Sequence, residues 1–144
     1  MRRRERTRIL VDGDRALARS MASEVESAFP VEVLDDPREG LVMVKVRESA
    51  KRQQFYLGEA LMTSCRVKAG DAQGLGMVMG DDRQLAFDLA LIDAAFSLES
   101  GSIDTAQWEE QLRAERVRID AEQAREQAIA NKTRVDFSTM EVEL

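Results

Sequence analysis

Histidine is missing from these 144 residues, and cysteine occurs once. The lone Cys65 cannot close an internal disulfide. Without histidine the usual zinc sites, Cys-His dyads and Ser-His-Asp triads are excluded, as is the side chain that ordinarily moves protons near neutral pH. No apolar run approaches the roughly 18 residues of a membrane-spanning helix. The opening Arg2-Arg3-Arg4 leads into only Ile9-Leu10-Val11, too short for the core of a signal peptide. These absences give the expectation of a cytoplasmic protein. Cations are the minority charge: 21 Lys and Arg face 27 Asp and Glu, a net charge of −6. With a pI near 4.8, the chain is unsuited to general binding of nucleic acid or anionic membrane. Any chemistry it does alone falls to carboxylates, Lys, Arg, Tyr56 or hydroxyls.

What is present is enough for one folded domain. At 44% apolar and 33% charged residues, a chain of this length hides roughly 70% of its unfolded surface without staples. From Asp14, a candidate N-cap, to about Phe29, the residues Leu17, Met21, Val25 and Ala28 line one helix face, and Pro30 ends it. The period then changes to two. Val42, Val44 and Val46 alternate with Met43, Lys45 and Arg47, while Leu61, Thr63, Cys65 and Val67 alternate with Met62, Ser64, Arg66 and Lys68, which predicts half-buried strands. Gln54 to Leu57 and Leu75 to Met79 read as further strands, Gly70 to Gly74 as a turn, and Val31 to Leu34 as a candidate fifth strand. The expected fold class is α+β: an antiparallel sheet of four to five strands, helices packed on one face, and a long C-terminal helix.

The last third is helical. Asp81 and Gln84 resemble a capping box, and Leu85, Leu89, Ile92 and Phe96 follow at helical spacing, with Ala86, Ala90, Leu91 and Ala94 on other sides. Such a helix is buried on more than one side. After Ser100-Gly101-Ser102 a charge-rich helix runs from about Asp104 to Asn131, about 40 Å long at 1.5 Å per residue. That outruns a domain of this size. The expected segments are 1–30 for the N-terminal helices, 31–80 for the strands, 81–131 for the later helices and 132–144 for a tail, all within a single domain spanning 1–144.

Gly74-Leu75-Gly76-Met77-Val78-Met79-Gly80 suggests a dinucleotide loop but reads GxGxxxG. Asp81 and Asp82 then stand where a pyrophosphate needs bare amides. A strand ending in a glycine turn and an acidic cap is the better reading. Glu59, Asp81 and Asp82 are the carboxylates to which a stand-alone magnesium-dependent nucleotide- or phosphate-binding protein would have to turn. Asp93 interrupts an almost wholly apolar helix, which points to a satisfied hydrogen bond or an interface salt bridge. Cys65 is expected to be a small buried hydrophobe. The arginines at 2, 3, 4, 6 and 8 read as a solvated helix start. No catalytic, cofactor-binding or metal-ligating set emerges. Partner-binding candidates do: Trp108, Leu112 and Ile119 are sparse apolar anchors on the long helix, and Arg134, Val135, Phe137 and Met140 lie beyond its end, where apolar residues recur at strand period.

Taken together, Gly58-Glu59-Ala60-Leu61-Met62-Thr63, Gly74-Leu75-Gly76, Gly80-Asp81-Asp82, the alanine-rich helix with Asp93, and Arg134-Val135-Asp136-Phe137 with Thr139-Met140 resemble the PhnG family of the bacterial carbon-phosphorus lyase system. The resemblance runs from about residue 5 to 140. It implies an accessory role in phosphonate utilisation. PhnG there acts with PhnH, PhnI and PhnL to form alpha-D-ribose 1-methylphosphonate 5-triphosphate from MgATP and methylphosphonate, releasing adenine. It also implies a core assembly with PhnH, PhnI and PhnJ, in which PhnI carries the nucleosidase chemistry, PhnJ the iron-sulfur radical step, and PhnG no known catalytic residue. PhnI is the most direct partner expected, and the sequence leaves self-association of the isolated chain open.

Overall fold

The computed structural model describes residues 1–98 and 102–134. In chain order these form α1 (Arg3–Asp12), α2 (Arg15–Ala28), β1 (Val31–Arg47), β2 (Gln54–Ala69), β3 (Ala72–Met79), α3 (Arg83–Ala95) and α4 (Thr105–Lys132). The strands make one antiparallel sheet in the order β1-β2-β3. The class is α+β, but among the described residues there are three strands where four or five were expected. Two pairs of expected strands have fused. Val31–Leu34 and Val42–Val46 belong to one 17-residue strand, because the polar stretch around Pro37 stays in the ladder through register shifts at Val33/Asp35 and Asp35/Arg38. Proline is tolerated there because β1 is an edge strand and the site is bulged. Likewise Gln54–Leu57 continues into Leu61–Val67. The register steps from Val44 opposite Gly58 to Lys45 opposite Tyr56, which leaves Leu57 as the extra residue of a bulge.

The β2–β3 connection is tighter than the five residues expected of it. Ala69 pairs with Ala72, so Gly70 and Asp71 alone make the turn, with Gly70 at φ +60°. Glycine at the first position of a two-residue hairpin meets that demand. From there β3 alternates strictly: Ala72, Gly74, Gly76 and Val78 are buried, and Gln73, Leu75, Met77 and Met79 face out.

On the buried face lies α3. Asp82, rather than Asp81, caps it by accepting the Leu85 N–H at 2.9 Å, while Gln84 donates to Asp88 at 2.9 Å instead of completing a capping box. The helix is buried almost all round, as its sequence implied: Leu85, Ala86, Leu89, Ala90, Leu91, Ile92, Ala94 and Ala95 are all in the core. Its approach to the sheet is unusually close. A Cβ on Gly76 would lie 1.8 Å from the Ala86 carbonyl oxygen, and one on Gly74 would lie 2.0 Å from that of Ala90. The two glycines that suggested a phosphate loop are thus the seat of a helix.

Behind α3 packs α2, capped by Asp14, which accepts the Ala16 N–H at 2.8 Å. Its buried stripe is Ala18, Met21, Ala22 and Val25, turned slightly from the Leu17-Met21-Val25-Ala28 face read from the sequence, and Ala28 is exposed. Asp88, 3% exposed, faces α2. It accepts from Arg19 and Gln84, yet burial outweighs those donors and holds its carboxyl above the ordinary range. Cys65 is a buried free thiol, pushed up to about 11 by burial, with Asp36 and Asp35 adding to it.

Two measurements test this packing. Gly76→Ala is expected to cost at least about 3 kcal/mol, the top of the usual range for overpacking, because backbone of α3 must move. Leu89→Ala and Ile92→Ala should each cost about 2 to 5 kcal/mol, as large-to-small changes in a core do. Urea denaturation with an unchanged m-value checks all three, and losses under about 0.5 kcal/mol would place these positions at the surface.

Candidate protein-interaction surface

The long helix is tied down over only part of its length. Trp108, Leu112 and Ile119 are buried in the chain's own core. Trp108 donates its indole N–H to Glu24 at 2.9 Å and meets Phe96 edge-on at 5.9 Å, and the Arg6 guanidinium lies over the Phe96 ring, 3.9 Å from its centroid. Burial lowers the pKa of Arg6, with Asp93 opposing that shift. Asp93 itself accepts from Arg3 at 2.6 Å and from the Leu75 amide at 3.0 Å. This is the satisfied hydrogen bonding its sequence position implied. Met1 adds an amino-terminal ion pair to Glu109 at 2.7 Å, which holds that carboxyl below its usual range. Further along, Glu115 accepts the Asp14 amide at 2.7 Å and is held low by Arg118 first, then by that amide. The arginine-rich start is a helix docked through Ile9 and Leu10, which are buried, while Arg2, Arg3, Arg4 and Arg8 are exposed, as a solvated start implies.

Beyond Ile119 nothing among the described residues covers α4. Every residue from Asp120 to Arg134 is exposed, so about 20 Å of helix projects past the core at 1.5 Å per residue. Ile129 is exposed on this projection. Of the expected anchors, Trp108, Leu112 and Ile119 therefore hold the helix to its own domain, and Arg134 stands exposed at its end. Val135, Phe137 and Met140 lie outside the described residues.

A second projection was not foreseen. β3 ends at Met79, which pairs with Met62, so Gln54–Leu61 of β2 pair only with β1. This two-stranded arm reaches about 20 Å past the end of β3 at roughly 3.3 Å per residue. Its register places Leu41, Met43, Lys45, Tyr56 and Leu61 on one face, and Val42, Val44, Val46, Phe55 and Ala60 on the other. Leu41 is 65% exposed, Tyr56 59% and Leu57 67%, while Val42 and Phe55 are 47% and 45% exposed. The second face runs on into Met62, Met77, Met79 and Leu75 on the outside of the sheet. The half-buried strand inferred from Val42, Val44 and Val46 holds in part: Val44 and Val46 are half-buried between exposed Lys45 and Arg47, whereas Val42 is exposed. A signal was there: Leu41 to Val44, Phe55 to Leu57 and Ala60 to Met62 are apolar at both strand parities, which a strand covered on one side does not need.

The carboxylates singled out for magnesium do not converge. Asp82 caps α3 and pairs with Arg15 at 3.1 Å, Asp81 is exposed in the turn before that helix, and Glu59 stands exposed on the arm opposite Met43. Among the described residues no group of three or more Asp, Glu, Cys or His could hold a metal ion. A hollow of about 360 Å³ between α1 and α4 is lined by Arg2, Arg4, Arg8 and Arg116, but also by Glu5, Asp12 and Asp120. Arg8 pairs with Asp12 at 3.4 Å, and Arg116 with Glu5 and Asp120. Its mixed charge does not make a phosphate clamp. No described helix is long and apolar enough to cross a membrane.

Among the described residues two projections, the end of α4 and the β1–β2 arm, thus stand uncovered. The chain is 32% identical over 139 residues to the alpha-D-ribose 1-methylphosphonate 5-triphosphate synthase subunit PhnG of Rhizobium meliloti (strain 1021), a match covering 90% of this chain and 86% of that relative. The family described as phosphonate metabolism protein PhnG matches residues 1–142, nearly the whole length, and the chain belongs to that family.

Proposed function

We propose that this chain is an accessory subunit of the carbon-phosphorus lyase core assembly in the cytoplasm, and that it acts there as one PhnG-like domain. It supports synthesis of alpha-D-ribose 1-methylphosphonate 5-triphosphate from MgATP and methylphosphonate, with release of adenine. The observation that carries this reading is the pair of uncovered projections, read together with family membership. PhnI is the most direct partner, with PhnH, PhnJ and PhnL in the same system. Its contribution is structural: phosphate recognition needs Lys, Arg or bare amides free of competing carboxylates, and many arginines of this chain are engaged with acids. Self-association of the isolated chain follows from the same exposed apolar surface.

In this reading Arg134, Val135, Phe137 and Met140, which follow α4 in the sequence, bind the partner, while Trp108, Leu112 and Ile119 fix the direction in which the helix points. This division of labour differs from a tail that pairs with its own sheet, and a truncation separates the two.

Two outcomes are expected. The purified chain releases no adenine from MgATP, as followed by chromatography of the reaction; release that survives rigorous purification and disappears in Asp81→Asn is the contrary result. Phe137→Ala weakens assembly with the other subunits by about 1 to 3 kcal/mol, as loss of an aromatic anchor does, and leaves the melting temperature of the isolated chain nearly unchanged. Deleting residues 133–144 should act likewise, whereas a sharp drop in stability with unaltered partner affinity would mean that the tail serves its own sheet.

A further inference from the structure

We infer that the β1–β2 arm is a plug: it inserts into an apolar cleft of another protein subunit, is enclosed there on both faces, and meets carboxylates at the end of the cleft that its tip reaches. This rests on the subunit reading above and deepens it.

The first argument is the two-sidedness of the arm. A surface that docks flat needs one apolar face, and the other is then polar. Here both faces carry apolar side chains: Leu41 lies opposite Leu61 on one, beside Lys45, Arg47 and Glu59, and Val46 lies opposite Phe55 on the other. Leu57 adds a further exposed side chain at the bulge. An isolated two-stranded ribbon is marginal in water, and one that is apolar on both sides gains cover only from walls on both sides.

Charge identifies the end of the cleft that the tip reaches. Within residues 41–61 four cations (Lys45, Arg47, Lys51 and Arg52) stand against two anions (Glu48 and Glu59), while the remainder of the chain carries 17 cations against 25 anions. The salt bridges among the described residues engage arginines of the helices and of the covered sheet and none of these four cations. Lys45 alone has a charge-specific neighbour, the Tyr56 ring at 5.7 Å.

Backbone chemistry separates a protein cleft from a lipid surface. The Leu61 carbonyl still accepts the Gly80 N–H at 2.9 Å. From there to the tip of the arm the outer edge of β2 carries N–H and C=O groups with no strand partner among the described residues, where β2 has no neighbouring strand other than β1 and β1 is an edge throughout. Hydrocarbon cannot satisfy such edges, whereas a protein wall can.

The test uses the full chain and the remaining synthase subunits, purified together, with affinity measured by interferometry at several salt concentrations. Two double variants each alter one face: Leu41→Asp with Tyr56→Asp, and Val42→Asp with Phe55→Asp. A third, Lys51→Glu with Arg52→Glu, changes only the turn and keeps the experiment informative if aspartate disturbs the ribbon; circular dichroism and melting temperature establish folding of all three. Each face variant is expected to bind at least about tenfold more weakly. The turn variant should associate more slowly and lose much of the salt dependence of the native chain. Loss from one face alone would mean flat docking, and loss from neither would remove the arm from the interface; either overturns the plug. So does binding of the native chain to anionic phospholipid vesicles that the face variants abolish, or an arm-dependent dimer whose disruption leaves assembly intact. If the native chain itself fails to bind the other subunits, the subunit reading fails first and takes the plug with it.

Discussion

The contact of α3 with Gly74 and Gly76 is the constraint on which the other parts of the structure depend. With no side chain on either residue, the helix lies with Ala86, Ala90 and Ala94 directly against the strand backbone. A close approach of this kind excludes water from the peptide groups of β3 and fixes the helix axis to within the few ångströms that a methyl group would occupy. Because α3 is seated on β3 and the adjoining part of β2, the covered sheet ends where β3 ends, at the Met62–Met79 pair. Past that line β1 and β2 continue as a ribbon. The arm is thus a geometrical consequence of one short strand beside two long ones.

The helices behind α3 are placed by mixed apolar and ionic contacts. Asp93 gathers Arg3 and the Leu75 amide, Arg6 covers Phe96, and Phe96 meets Trp108, so α1, α3, α4 and β3 share one cluster. Most of the ion pairs are exposed, and such pairs contribute about 0 to 1 kcal/mol each. Their role is orientation more than stability. Asp88 differs, because burial raises its carboxyl toward the neutral form despite Arg19 and Gln84. A carboxyl raised on folding contributes stability that is present at low pH and lost as pH rises through the folded value, so Asp88 weakens the α2–α3 contact near neutrality relative to acid. Glu109 and Glu115 run the other way: their lowered values add stability above the ordinary carboxylate range that fades as pH falls.

Among the described residues the thiol of Cys65 is held protonated by burial, and Asp82, Asp88 and Asp93 are engaged in a cap, hydrogen bonds and ion pairs. The chain offers shape: a helix and a ribbon that leave the core and carry uncovered apolar side chains. Membership of the PhnG family gives that shape a setting in phosphonate metabolism.

Local pattern alone determined much of this protein. Helical spacing and capping residues marked α2, α3 and α4 nearly to their ends, period-two alternation marked Thr63, Cys65 and Val67 as a buried face, and the order of short motifs pointed to the family. These are legible because period, cap chemistry and glycine placement act over a few residues. Tertiary structure decided the rest. Whether the polar stretch at Pro37 breaks a strand depends on a neighbouring strand that tolerates two bulges, so four or five strands became three. Whether Trp108, Leu112 and Ile119 face a partner or their own core depends on where α1 and α2 lie, and they were packed inward. Whether Leu41 and Met43 are covered depends on how far α3 reaches along the face they share with Thr63 and Cys65, and it stops short. Burial is a property of what lies opposite a residue in space, and no spacing along the chain contains it.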